Sequence, residues 1–386
     1  MAYQQIFNFH APTRMTFGSG ALRELVTELK RLNVARPLIV TDQGIKGAGI
    51  LDKVTTLLSE NHISFSVFDG VDENPSTDTV VKGASIYRDE KCTGFIAVGG
   101  GSPTDATKAI GIVVSNPGDI TQYEGAGKVG KPIPPVIAIP TTYGTGSEAT
   151  FVSVITDKKR TFKFVISSPN LFCAAAILDP SLLVTLPRKI GAATGMDALT
   201  HSIETHVTLI SQPISSALAL HAVKLIAENL RQAIANDYNL AATENMMVAS
   251  AIAGMAFTNS RLGAVHAMAH PLSAHFGIHH GMSCGLLLPH VMEFSLGACP
   301  EKFAEVARAM GENTCGLSPM DAAYKAVEAV RKLMRDVDMP FTLREVGVRE
   351  EKIPQMVADS MLSASILINP RKTGKEDVER LFRKAF

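Results

Sequence analysis

The chain lacks an excess of charge: 37 Lys+Arg stand against 37 Asp+Glu in 386 residues. A surface so balanced exerts no bulk attraction on nucleic acid or acidic membrane, so neither is expected as a partner. It also lacks any unbroken apolar run of about 18 residues, and its start lacks the basic-then-apolar layout of a secretion signal. A membrane-spanning segment and export are therefore not expected. The five cysteines (Cys92, Cys173, Cys284, Cys299, Cys315) are odd in number, scattered, and form no Cys-x-x-Cys. They read as reduced thiols of a cytoplasmic protein rather than a disulfide framework. No internal repeat or low-complexity segment is evident. What is present is a 46% hydrophobic, 19% charged composition, the balance of a well-packed enzyme. The length exceeds one ordinary core, which makes two domains the natural expectation.

The first half alternates short apolar runs with helical patterns. Residues 38–42, 65–69, 95–98 and 136–139 read as strands ending in turn residues, and 20–32, 50–61, 77–90 and 103–114 as helices with apolar residues near a 3.6 period. Such alternation predicts parallel βαβ units and a doubly wound, Rossmann-like sheet. Residues 151–156 and 161–166, flanking Asp157-Lys158-Lys159-Arg160, predict a hairpin, and 174–178 runs into Asp179-Pro180. After Pro187 the patterns become long and helical (190–207, 214–235, 239–257, 299–310, 322–337, 375–384). The expected organisation is an α/β dinucleotide-binding domain over 1–185 and an all-helical metal- and substrate-binding domain over 186–386.

At the end of the third predicted strand, Val98-Gly99-Gly100-Gly101-Ser102-Pro103-Thr104-Asp105 opens a helix. The glycines let backbone approach a ligand closely, Ser102 can cap the helix, and Pro103 suits its first turn. A helix N-terminus offers free N–H groups and a positive dipole end to a pyrophosphate. The loop departs from the Gly-x-Gly-x-x-Gly fingerprint, and a plain tight turn is the competing reading. A second hydroxyl-rich loop, Thr141-Thr142-Tyr143-Gly144-Thr145-Gly146-Ser147-Glu148, follows the next strand at the same sheet edge, where α/β sheets bind nucleotides. Asp42 ends a strand where an acidic side chain can accept hydrogen bonds from ribose hydroxyls; the alternative is a turn or helix cap before Gln43-Gly44. Asp105 and Lys108 either contact cofactor or pair on the helix face.

Asp197 and His201, four apart, point from one helix face, and His266 and His270 repeat the spacing. His279-His280-Gly281 follows. One such pair is ordinarily packing, but two pairs and a further histidine make a carboxylate–imidazole ligand set suited to Fe(II) or Zn(II).

Taken together, Phe17-Gly18, Thr41-Asp42, Asn74-Pro75, Gly99-Gly100-Gly101-Ser102-Pro103-x-Asp105-x-x-Lys108, Pro140-Thr141-Thr142-x-Gly144-Thr145-Gly146-Ser147-Glu148, Asp179-Pro180, Gly195-x-Asp197-Ala198-Leu199-x-His201-x-x-Glu204 and His266/His270/His280 resemble the iron-dependent (group III) alcohol dehydrogenases over essentially the whole chain. The resemblance implies a nucleotide domain on a helical metal domain, with substrate and nicotinamide in the cleft between. It implies metal ligation by Asp197, His201, His266 and His280, with His270 beside the metal, where an imidazole can carry the hydroxyl proton or merely orient a ligand or pack. It places Gly99, Gly100, Gly101, Ser102, Asp105, Thr141, Thr142, Thr145, Ser147 and Lys163 at the cofactor, with Lys163 equally readable as a solvated charge. The implied cofactors are NAD and Fe(2+), with Zn(2+) or another divalent metal as alternatives. The implied assembly is a homodimer or larger homo-oligomer.

The chain departs from the common pattern at Tyr143, Arg261, Ser273, His279 and Ser283-Cys284, none of which removes a ligand. The expected reaction is hydride transfer between NAD(H) and a small primary alcohol or aldehyde. Arg261 and His279 leave open an anionic aldehyde or oxo acid. A dehydroquinate-synthase-like lyase shares the architecture but typically carries Glu as first ligand, where this chain has Asp197. Maleylacetate-reductase-like proteins lack the full ligand set, and a non-enzymatic scaffold leaves that set without purpose.

Overall fold

A computed structural model describes residues 6–236 and 238–386, and the statements below concern these residues. The chain packs as two units, Pro12–Leu186 and, with residues 6–11 added, Pro187–Phe386.

The first unit holds strands β1 (Arg14–Phe17), β2 (Pro37–Val40), β3 (Ser66–Phe68), β4 (Gly94–Gly99), β5 (Gly125–Ala126), β6 (Val136–Pro140), β7 (Val152–Asp157), β8 (Phe162–Ser167) and β9 (Ala175–Leu178). Its helices are α1 (Leu25–Arg31), α2 (Gln43–Gly47), α3 (Ile50–Glu60), α4 (Thr77–Asp89) and α5 (Gly101–Ser115). Six strands form a wholly parallel sheet in the order β1-β9-β6-β4-β2-β3. Every residue of β2, β4, β6 and β9 is buried, which is why those segments read as continuous apolar runs rather than alternating ones. The expected hairpin is β7–β8, antiparallel from Val152↔Ser167 to Asp157↔Phe162, with β5 added alongside. The sequence pattern overlooked β1, a short edge strand of mixed exposure, so the strand expected to come first is second in the chain.

The order places the turn-around between β2 and β4, since the chain runs outward from β2 to β3 and returns to β4 on the other side. Ligands bind at such switch points, outside the carboxyl ends of the strands. The loops after β2, β4 and β6 therefore occupy one sheet edge.

The second unit is helical: α6 (Arg188–Val207), α7 (Pro213–Ala235), α8 (Leu240–Ser260), α9 (Ala264–Phe276), α10 (His280–Ser295), α11 (Pro300–Ala309), α12 (Pro319–Asp336), α13 (Ile353–Ser360) and α14 (Lys375–Ala385). α6 is buried from Gly191 to Val207 and packs on α7, α8 and α10. α8 is long and apolar enough to span a membrane by composition, yet 56% of its apolar window is buried within this bundle. α9 and α10 were missing from the helices read from periodicity. Each carries an interior proline (Pro271, Pro289) that breaks the pattern without ending the helix.

The expected division put residues 6–11 with the sheet, and this is corrected by their hydrogen bonds. His10 N donates to Asn259 Oδ1 (2.7 Å), Asn259 Nδ2 to His10 O (2.9 Å) and Gln212 Nε2 to Asn8 O (3.2 Å), all within the helical unit.

One consequence of the buried sheet edge is a buried carboxyl, Glu148. Burial pushes Glu148 from 4.5 up to about 7, only partly opposed by backbone N–H donation and by Lys108. A carboxyl raised by burial contributes its full stability below the unfolded value, and that contribution is lost as pH rises towards the folded one. Glu148→Gln should therefore gain on wild type by on the order of 1–3 kcal/mol between about pH 5 and about pH 8. Denaturant unfolding at both pH values checks this, and a pH-independent difference would remove the burial account.

Candidate active site

In the helical unit, three helices bring their histidines to one carboxylate. Asp197 and His201 share the buried face of α6, His266 and His270 lie on α9, and His280 begins α10. Asp197 Oδ1 is 3.7 Å from His266 Nε2, 3.9 Å from His280 Nε2 and 4.0 Å from His201 Nε2. Donors bonded at about 2.0–2.3 Å to one ion stand roughly 3.3–3.8 Å apart, so these spacings approach the edges of a coordination polyhedron. The close approach of α10 to α6 needs Gly281, because a Cβ there would lie 2.2 Å from the Ala193 carbonyl oxygen.

Asp197 Oδ1 and His266 Nε2 are both buried and have no hydrogen-bond partner. Orphaned acceptors of this kind are costly in a closed core, and a divalent cation among them satisfies both. The residues thus fit a metal. Burial alone would push the Asp197 carboxyl up, but His201, His280 and His266 around it outweigh burial and hold it far below its ordinary range. It remains an anionic donor. On the other side of His266, Glu204 accepts from Nδ1 (2.6 Å) and from Val265 N (2.7 Å), leaving Nε2 as the nitrogen that faces Asp197. The aromatic face of Phe257 stacks on His201 (4.5 Å), which stacks in turn on His266 (4.6 Å). His270 is half-buried, with its ring 5.4 Å from that of His280.

At the sheet edge, Gly99 has φ +147°, and a Cβ there would come 2.4 Å from Pro103 Cγ. Only glycine turns β4 so directly into α5. The cap of α5 is Gly100, not Ser102; Ser102 lies inside the first turn and its hydroxyl donates to Glu73 O. The neighbouring loop follows closely: Thr141 N donates to Gly99 O (3.0 Å), Thr142 lies against Gly100, and Thr145 against Gly101. Thr41 Oγ1 and Thr141 Oγ1, at the ends of β2 and β6, are buried without hydrogen-bond partners.

Asp105 and Ser147 hydrogen-bond to each other beside this loop. Ser147 Oγ donates to Asp105 Oδ1 (2.6 Å), and Val154 N donates to Asp105 Oδ2 (3.0 Å). Lys108, fully buried, points Nζ at Ser147 O (2.7 Å), Thr150 O (2.9 Å), Thr150 Oγ1 (3.0 Å) and Val152 O (2.9 Å). This network ties the loop after β6 to α5. Lys163 Nζ donates to Asn74 Oδ1 (2.6 Å), and Asp42 Oδ1 caps α2 by accepting from Ile45 N (2.9 Å).

Residues 12–180 match the iron-containing alcohol dehydrogenase family, and residues 191–386 match the C-terminal region of the same Fe-containing family. The chain belongs to the iron-containing alcohol dehydrogenase family. It is 43% identical to a 1,3-propanediol dehydrogenase of Citrobacter freundii, with both chains covered in full. It is 36% identical to an NAD-dependent methanol dehydrogenase of Bacillus methanolicus, covering 98% of this chain and 99% of that one. The solved structure of a 1,3-propanediol oxidoreductase superposes with a TM-score of 0.97 at 42% identity, over 99% of this chain and 100% of that chain.

Within this iron-containing dehydrogenase, two residues close to Asp197 and the imidazoles carry no site role in the sequence reading. Glu204 was quoted in a motif without a role; its signal was its place two turns along the Asp197 face of α6. Cys284 reads from the sequence as one of the reduced thiols and as a departure from the common pattern, yet it stands four after His280, the same spacing that marks the other pairs. Arg261 is exposed and ends α8 at φ 57°, ψ −171°, a region that is otherwise glycine's. His279 precedes α10 with its Nδ1 buried and unpartnered.

Glu204→Gln should keep the bond from Val265 N while turning an amide towards His266 Nδ1, where two donors would meet. Metal affinity, measured by competition with a chelator, is expected to fall about 10–100-fold. Unchanged affinity would mean that Glu204 does not orient His266.

Proposed function

We propose that the chain transfers a hydride between NAD(H) and a small primary alcohol or aldehyde with the help of a divalent metal, Fe(2+) first and Zn(2+) as the alternative. The observation that supports this most directly is the convergence of three imidazole nitrogens within 4.0 Å of the buried Asp197 Oδ1. The names of the propanediol and methanol dehydrogenases support small primary alcohols, and the latter supports NAD. When bound, the cation supplies Lewis acidity at the substrate oxygen and the nicotinamide supplies the hydride acceptor.

The chain's own residues do the rest. Asp197, His201, His266 and His280 hold the metal, with Glu204 fixing the His266 tautomer. His270, half-buried beside His280, moves the hydroxyl proton towards solvent through its imidazole nitrogens. In the sheet unit, the backbone N–H groups of Gly101 and Ser102 at the start of α5 receive the pyrophosphate. Thr141 and Thr41 offer hydroxyls with no internal partner, and Thr142 and Thr145 line the same glycines. Asp105 and Ser147 act on the cofactor by holding that loop, and Lys163 by way of Asn74. A homodimer or larger homo-oligomer in the cytoplasm completes the reading. The second reading that Arg261 and His279 leave open is an anionic aldehyde or oxo acid on the same machinery; Arg261 is exposed, as a solvated charge would be. NADH formation across a panel of neutral and anionic alcohols separates the two.

His266→Ala should lose bound metal and nearly all turnover while NADH binding, followed by fluorescence, survives. Full turnover in metal-free protein would sink the mechanism.

Cofactor choice gives a separate test. A 2′-phosphate beside Asp42 meets repulsion of about 1–4 kcal/mol, roughly ten- to a thousandfold against NADP. The ratio of kcat/KM for NAD over NADP should favour NAD and fall sharply in Asp42→Gly. An unchanged ratio would leave Asp42 as the α2 cap alone.

A further inference from the structure

The donor set around Asp197 contains a sulfur. Cys284 lies one turn after His280 on α10, fully buried, with Sγ 3.6 Å from His280 Nε2. Asp197, His266, His280 and Cys284 each present one donor atom, and these four atoms all lie within 4.8 Å of one another. The Sγ–Nε2 spacing matches the edge expected between two ligands of one ion, about 3.3–3.8 Å. Two of the partners, Asp197 at 2% and His266 at 3% exposure, turn buried atoms without hydrogen-bond partners into the same space. Its Sγ is in hydrogen-bonding range of His280 Nε2 and shares that space with a carboxylate oxygen and a second imidazole nitrogen.

We infer that Cys284 Sγ is a further ligand of the metal cage, bound as thiolate beside Asp197 and the imidazoles. The inference rests on the metal site proposed above and specifies its chemistry. On binding, the S–H bond breaks, the proton leaves to solvent, and the sulfur electron pair is donated to the ion; a coordinating thiol is deprotonated outright. A second anionic donor reduces the net charge of the cage, and a soft one shifts its preference from Fe(II) towards Zn(II) and Co(II). A carboxylate-and-imidazole set already ranks Zn(II) and Co(II) above Fe(II), and the sulfur widens that margin.

The test is a titration of the full chain, stripped of metal by chelation, with Co(II) under anaerobic conditions. Visible ligand-field bands report cobalt in the cage, and a near-ultraviolet sulfur-to-cobalt charge-transfer band reports the thiolate. Both are expected to grow at the same stoichiometry in wild type. Cys284→Ser should lose the charge-transfer band and keep visible bands of altered shape, while competition between Zn(II) and Fe(II) moves towards Fe(II). Visible bands without charge transfer in wild type overturn the sulfur assignment and leave the cage standing. An absence of both overturns the cage and the assignment together. Should Cys284→Ser fail to fold, the wild-type spectrum decides alone.

Discussion

A carboxylate buried to 2% exposure among three imidazoles is the constraint on which the helical unit depends. Taking such a charge out of water costs several kcal/mol unless something of opposite sign joins it. Within the described residues, Asp197 Oδ1 receives no hydrogen bond. A cation among these atoms would satisfy the carboxylate and the imidazole nitrogen together, and the packing of the helices is arranged around that point. α6 must be central, because it carries both Asp197 and Glu204. α10 must approach it closely, because His280 has to reach the same point, and Gly281 permits that approach.

The sheet unit solves the opposite problem with a buried cation. Lys108 has no exposure and spends its ammonium protons on the backbone and hydroxyls of Ser147, Thr150 and Val152. Asp105 completes the set through Ser147 and Val154. The loop after β6 is thereby held against the glycine turn after β4, and two separate loops become one edge. A loop that closes over a cofactor would otherwise lose conformational entropy on each binding event.

Much of this was legible because parallel strands buried on both faces must be apolar throughout, and helices on one sheet must repeat near 3.6 residues. β2, β4 and β6 were readable for that reason, and β1 was not, being short and half-exposed. α9 and α10 were obscured by Pro271 and Pro289. Asp105 and Lys108 show the limit at the site: their spacing left cofactor contact and structural pairing open. Only their partners, some 40 residues away, point to the structural role.

By itself the sequence determined which residue types recur at helical spacing: Asp197 with His201, and His266 with His270. Those are local facts, set by 3.6 residues per turn. It likewise determined the glycine turn at Gly99, where backbone geometry admits nothing larger. What only the tertiary structure decided is which atoms meet. His280 and Cys284 come close to Asp197 because α10 packs on α6 and α9, and Glu204 faces His266 across 62 residues of chain. Such meetings depend on the burial of whole helix faces, a sum over many weak contacts that no local pattern encodes.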